Sequence, residues 1–136
     1  MRKIAIAALL AFAPSAALSN DTPLPVPPNY ALIEGTKQPV FVNTKTIRSN
    51  LISAEKTTSA YIMLFAKADD GADLYVIMDM VAWCQSGKLM RMKANYVSAN
   101  EKLLGTDEKS QTVEVTEDSS SKAIFQRLCS DWDQYD

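Results

Sequence analysis

The sequence predicts an α+β domain: an antiparallel β-sheet of about six strands, with a C-terminal helix packed on one face and disulfide-linked to it. Three observations carry this expectation. Leu74 to Cys84 alternates strictly, setting Leu74, Val76, Met78, Met80, Ala82 and Cys84 on one face. Tyr75, Ile77, Asp79, Val81 and Trp83 fall on the other. After the polar turn Gln85-Ser86-Gly87-Lys88, Leu89 to Ser98 places Met90, Met92, Ala94 and Tyr96 opposite Arg91, Lys93 and Asn95. Finally, Ile124, Phe125, Leu128, Cys129 and Trp132 fall at i, i+1, i+4, i+5 and i+8, one apolar stripe on a helix. The cysteine side of the central hairpin is apolar and is expected to face the core.

The chain begins with a processing signal. Arg2 and Lys3 form a basic start, Ile4 to Phe12 an apolar run, and small residues follow around Ala17-Leu18-Ser19. This is the pattern of a secretory signal peptide, with the cut after Ser19. The apolar run is too short to span a bilayer core of about 30 Å and is followed by Pro14. No membrane span is therefore expected in the mature chain, and the expected location is periplasmic, secreted or at the cell surface. Removing nineteen residues from 136 leaves 117, enough for one domain with a real core. Setting aside the two basic residues of the signal, twelve bases face sixteen acids, a mature net charge of about −4. Such a chain has no bulk attraction for nucleic acid or anionic lipid.

The remaining elements follow in order. Asn20 to Asn29 holds Pro23, Pro25, Pro27 and Pro28, and reads as an extended lead outside the core. The domain is expected over residues 30–136. Tyr30 to Glu34 and Pro39 to Asn43 read as short strands, and Asn43 to Arg48 as a single helical turn. Thr57 to Lys67, rich in β-branched and aromatic residues, is the next strand. Asp69-Asp70-Gly71-Ala72-Asp73 is a solvated turn whose spacing does not fit a calcium loop. Ala99 to Gln111 is polar and reads as a loop, and Thr112 to Thr116 as a last edge strand. Ser119, Ser120 and Ser121 offer hydroxyls to cap the helix.

Cys84 and Cys129 are the only cysteines, and an isolated pair in an exported chain is most simply a disulfide. Histidine is absent, which removes serine–histidine and cysteine–histidine dyads and every imidazole metal ligand. No local signature supports a serine–lysine or carboxylate scheme, so an enzyme is not expected. The methionines at 78, 80, 90 and 92 are read as inward-facing core filler rather than a copper(I) site. No metal and no cofactor are expected. The outer face is more suggestive: Tyr75 and Trp83 on one strand, with Arg91 and Lys93 on its neighbour, combine aromatic and basic groups as binding surfaces do.

The order of features resembles the surface-adhesin protein E family of Gram-negative bacteria, over about Tyr30 to Ser130. The resemblance rests on Tyr30 in an early strand, the run Val42-Asn43-Thr44-Lys45-Thr46-Ile47, and a long strand ending in Trp83-Cys84. Gly87-Lys88-Leu89-Met90-Arg91, Tyr96, Val115 and a serine-capped helix ending in Leu128-Cys129 complete it. It implies a small antiparallel sheet, a helix tied to it through Cys84–Cys129, and adhesion to host proteins as in the founding member. That member is lipid-anchored, whereas this chain has no cysteine near the cut. The expectation is an exported, non-enzymatic domain binding an unnamed protein partner. The competing expectation is a periplasmic inhibitor or immunity protein that blocks a secreted enzyme.

Overall fold

The computed structural model describes residues 22–116 and 119–130. The leader and its cut, Trp132, and the acidic tail of Asp131, Asp133 and Asp136 lie outside them. Eight strands are formed: β1 (Tyr30–Leu32), β2 (Val40–Asn43), β3 (Arg48–Ile52), β4 (Glu55–Lys67), β5 (Asp73–Trp83), β6 (Lys88–Ser98), β7 (Leu103–Asp107) and β8 (Gln111–Val113). A 3-10 turn at Thr44–Thr46 precedes β3, and one helix, α1 (Ser120–Cys129), ends the described chain.

All strands join one antiparallel sheet in the order β1-β2-β4-β5-β6-β7, with β3 paired to β4 and β8 to β6. The two extra strands do not widen it. β2 pairs with Ile62–Leu64 and β3 with Glu55–Ser59, so both lie end to end along one side of β4. Likewise β7 pairs with Ala94–Val97 and β8 with Leu89–Arg91 along the outer side of β6. Eight strands therefore occupy six rows. The expected loop from Ala99 to Gln111 contains β7, and β3 has no counterpart in the sequence reading. Both are five-residue segments without clean alternation, held by pairing on β4 and β6 rather than by a pattern of their own.

The helix crosses the inner face. Ile62, Leu64, Val76, Met78 and Met80 are fully buried beneath it, and Ile124 and Leu128 close the core from above with no exposed surface. Each of those two helical side chains stabilises the fold by about 1.5–3 kcal/mol through burial. Phe125 and Cys129 pack at the margin of the same core. Cys84 and Cys129 form the disulfide, with Cα atoms 5.6 Å apart. Ser119 is the N-cap residue, but its hydroxyl makes no capping bond and donates instead to the Thr116 carbonyl at 2.9 Å. Ser121 Oγ donates to the Glu114 carbonyl at 2.6 Å. The serines thus fasten the approach to the helix rather than cap it.

One departure changes the outer face. Asp79 pairs with Lys93 but Met80 pairs with Arg91, leaving Met92 as an extra, unpaired residue on β6. Such a bulge inverts the alternation of the strand before it. Leu89 and Arg91 are consequently buried on the inner side, while Met90 is half-buried and Met92 exposed. The expected inward placement of Met90 and Met92 is corrected, and with it the outward placement of Arg91. The four methionine sulfurs are split between the two sides of the sheet.

The lead is not detached. Pro25 O accepts a 2.6 Å hydrogen bond from Tyr75 Oη, and Leu24 packs against the outer-face cluster of Phe41, Met63 and Tyr75. Phe65 meets Phe41 edge-on at 5.9 Å and Tyr75 at 5.7 Å between ring centroids.

The disulfide closes a loop spanning a sequence separation of 45 residues. Chain-entropy bookkeeping assigns such a closure about 4 kcal/mol. Cys84→Ser or Cys129→Ser should lower unfolding stability by roughly that amount in denaturant melts, with the double substitution little worse than either alone.

Candidate functional site

Register maps the outer face. Moving along β4 and β5, Thr57 lies beside Trp83, Ser59 beside Val81, Tyr61 beside Asp79, Met63 beside Ile77 and Phe65 beside Tyr75. Across β5 and β6, Trp83 meets Lys88, Val81 meets Met90, Asp79 meets Lys93 and Ile77 meets Asn95. On the far side Arg48 of β3 pairs with Ser59. The face divides in two. The end carrying Phe65 and Tyr75 is apolar and roofed by the lead. The other end carries Arg48, Tyr61, Asp79, Lys93 and Trp83, without a covering segment among the described residues.

Two hollows open there. One, of about 210 Å³, is lined by Thr46, Arg48, Ser59, Ala60, Tyr61 and Asp79. The other, of about 70 Å³, is lined by Tyr61, Ile77, Asp79, Lys93 and Asn95. Tyr61 and Asp79 belong to both. Tyr61 is 47% exposed, and its backbone N–H donates to Thr46 Oγ1 at 2.9 Å, which ties the 3-10 turn to the rim. Thr106 Oγ1 donates to Asn95 Oδ1 at 2.8 Å and holds the opposite rim.

The four residues expected to form a binding face are separated by the fold. Lys93 is exposed beside Asp79, at the centre of the open half. Trp83 is half-buried at its end, with Lys88 Nζ 5.2 Å above the ring, a cation–π contact. Tyr75 shares their face but is buried under the lead, and its hydroxyl is pushed up in pKa by burial and then by Glu101. Arg91 is on the other side altogether and is 1% exposed. Its Nη2 donates to Asp107 Oδ2 and to the Lys109 carbonyl, each at 3.2 Å, while Nε and Nη1 have no hydrogen-bond partner among the described residues. Arg48, Tyr61 and Asp79 enter the site without having been singled out from sequence. A signal for Tyr61 was present, because the turn at Asp69–Asp73 sets the hairpin register that brings it beside Asp79.

Two carboxylates sit in opposite circumstances. The backbone N–H of Lys109, at 3.1 Å, is the main cause holding Asp107 below the ordinary carboxylate range; Arg91 reinforces it against partial burial. Burial pushes Asp79 above that range, and the nearby positive charge of Lys93 offsets this only in part. Asp79 closes no hydrogen bond or ion pair with the described residues. It is a carboxylate kept where folding disfavours its charge, a common feature of functional positions. Among the described residues no three histidine, cysteine or carboxylate side chains gather as metal ligands.

No family model matches the chain, and no curated protein matches it. Among solved structures it is similar to protein E of Haemophilus influenzae, with a TM-score of 0.58 and 11% identity. The match covers 88% of this chain and 97% of that one. At that identity the likeness establishes the shared fold.

The two carboxylates should respond oppositely to pH and substitution. Asp107, whose folded pKa is depressed, stabilises the fold at neutral pH, and its contribution is lost as pH falls below about 4. Asp107→Asn should lower the melting temperature at pH 7 and shrink in effect on acidification. Asp79, whose folded pKa is raised, opposes folding while ionised, and that opposition is relieved as pH falls through the raised value. Asp79→Asn should therefore raise the melting temperature at pH 7, with the gain vanishing in acid. Arg91→Ala, which empties a buried site and removes one of the two partners of Asp107, should cost about 3 kcal/mol, whereas Lys93→Ala at its exposed site should stay within about 0.5 kcal/mol. Urea titrations of both variants distinguish a structural Arg91 from a surface Lys93.

Proposed function

We propose that the protein is an exported, non-enzymatic binding domain that grips a protein partner through the open half of its outer sheet face. The observation that carries this reading is Asp79, a half-buried carboxylate beside the exposed ring of Tyr61 that closes no hydrogen bond or ion pair among the described residues, although its burial opposes folding. Stability alone would favour a neutral residue there, so the charge is better explained by something it meets. Tyr61, Asp79 and Lys93 form the centre of the contact, with Arg48 and Trp83 at its edges. Tyr75 and Arg91 support the fold from beneath the lead and from the core.

Export is supported by the leader pattern of residues 1–19, cut near Ser19, and by the Cys84–Cys129 disulfide, a bond of oxidising compartments. The mature protein then carries the lead over residues 20–29 and one domain over 30–136, in the periplasm or at the cell surface. No helix among the described residues is long and apolar enough to cross a membrane. Adhesion of the surface-adhesin protein E kind is the activity this arrangement suits, because paired strands present the contact residues on an open sheet face.

The test is capture by the immobilised mature protein from host and envelope extracts. Tyr61→Ala combined with Lys93→Ala should abolish capture of a partner that the wild type retains, while the melting temperature moves by only a few degrees, about 1 kcal/mol. Undiminished capture by that folded variant would remove the face from binding. Retention of one envelope enzyme, with its activity blocked, would instead identify an inhibitor.

A further inference from the structure

A groove apart from the outer face runs between a free edge of the sheet and the helix. Its volume is about 390 Å³, and it is lined by Leu32, Ile33 and Glu34 on the strand side and by Ala123, Gln126 and Arg127 on α1. A neighbouring hollow of about 230 Å³ shares the same three strand-side residues and extends along the turn to Pro39. None of these residues lines the hollows around Asp79. We infer that the groove binds an extended segment of a protein partner, added as a strand to β1, with an apolar and an acidic side chain two residues apart facing α1. This site is independent of the use proposed for the outer face.

The backbone supplies the first half of the match. β1 pairs with β2 on one side and has no strand on the other among the described residues. Ile33 N–H donates to the Val40 carbonyl at 2.8 Å, which makes these two a hydrogen-bonded pair across the hairpin. Alternation then turns the N–H and C=O of Leu32 away from β2, toward the open edge. Tyr30 is turned the same way, but its N–H already donates to the Pro27 carbonyl at 3.4 Å. Leu32 is therefore the point at which a new strand can pair. Its side chain is 59% exposed and uncharged, without the lysine or proline that commonly protects such edges.

The helix supplies the second half. Arg127 Nη1 is closed off from solvent and has no hydrogen-bond partner among the described residues. The planar fork of a guanidinium suits a carboxylate, which accepts two parallel bonds from it. Ala123 lies one helical turn earlier, about 6 Å along the axis, and its small side chain leaves room for an apolar group. Alternate side chains of an extended chain are about 6.7 Å apart, so a carboxylate at Arg127 sets its i±2 neighbour at Ala123. Glu34 decides which of the two positions takes the acid. A Cβ built at Gly35 would lie 3.6 Å from Ala123 Cβ, which places the adjoining Glu34 toward that end, where it repels a carboxylate. A lone anion would meet Arg127 but leave the Leu32 backbone unpaired, whereas an extended chain uses both.

Two terminally blocked peptides that read alike in either strand direction, Glu-Thr-Leu-Thr-Glu and Lys-Thr-Leu-Thr-Lys, test this by titration into the labelled mature protein while its amide resonances are followed. The acidic peptide should shift the amides of Leu32, Ile33 and Arg127 and leave those of Tyr61 and Lys93 in place. It should bind about tenfold tighter than the basic one at low salt, the preference shrinking as salt screens the charges. A mature chain of net charge about −4 favours the opposite order in bulk, so nonspecific attraction does not produce this one. Arg127→Glu should reverse the preference. Should that variant not fold, Arg127→Gln should reduce it severalfold. Strand addition has its own signature, because only alternate N–H groups of the peptide face β1. Of two acidic peptides N-methylated at the leucine or at both threonines, one should lose binding and the other keep it. Equal binding of the acidic and basic peptides, binding of neither, equal response to both methylations, or shifts confined to Tyr61 and Lys93 overturns the proposal. If the acidic peptide binds only a variant carrying Asp131→Asn, Asp133→Asn and Asp136→Asn, the groove serves the chain's own tail and the partner segment is ruled out.

Discussion

The uninterrupted pairing of β4 with β5 is the constraint on which the rest of the molecule depends. Eleven consecutive residue pairs run from Thr57 opposite Trp83 to Lys67 opposite Asp73 without a shift. Because side chains alternate, that register determines both faces at once. It gathers Ile62, Leu64, Val76, Met78 and Met80 under the helix and sends Tyr61, Asp79, Phe65 and Tyr75 to the other side. A slip of one residue would exchange the two sets, exposing the core and burying the charge. The fold and the candidate site are thus consequences of one hairpin.

β6 lacks that regularity, and its irregularity divides the two cationic residues. Alternation in Leu89 to Ser98 suggests one phase throughout, with Arg91 and Lys93 on a common side. The unpaired Met92 breaks the phase, so Lys93 and Asn95 follow the expected pattern while Arg91 and Leu89 reverse it. Nothing in the local sequence marks a bulge here; no glycine or proline is present, and Met92 is unremarkable by type. The candidate face was therefore only half legible. The outward placement of Lys93 and Trp83 was readable from alternation alone, that of Tyr61 beside Asp79 needed the pairing of two strands, and the burial of Arg91 needed the bulge. The helix and the disulfide were legible because their signals lie in a single segment and in the only two cysteines. The short strands β3 and β7 were not, because each depends on a neighbour more than on its own residues.

Arg91 and Asp79 illustrate how differently two ionised groups sit in one small domain. Arg91 is buried, yet its charge meets Asp107 and the Lys109 carbonyl, and Asp107 in turn accepts the Lys109 N–H. That cluster ties β6 to the segment after β7, and its charge is compensated where it stands. Asp79 is less buried but has no such partner, and Lys93 only lessens the penalty. A charge compensated within the fold reads as structural; a charge left open beside an exposed aromatic ring reads as directed outward. The lead reinforces the contrast, since Leu24 and Pro25 roof the apolar end of the same face and leave the charged end open.

The placement of the clamp explains how so open a surface can be held in shape. Trp83 and Cys84 are successive residues, one directed to the outer face and the other into the core. The disulfide therefore holds, from behind, the end of the strand whose front carries Trp83 and Asp79. The turn that follows is secured as well, because the Ser86 N–H and hydroxyl donate to the Glu55 carboxylate at 2.9 Å and 2.6 Å. Residues on paired strands, backed by a helix and a covalent bond, would lose little freedom on binding the proposed partner, which would lower the entropic cost of association. A site without a deep cavity gains most from such rigidity, since it must achieve specificity through the spacing of a few groups. Here that spacing is set by hydrogen-bonded strands.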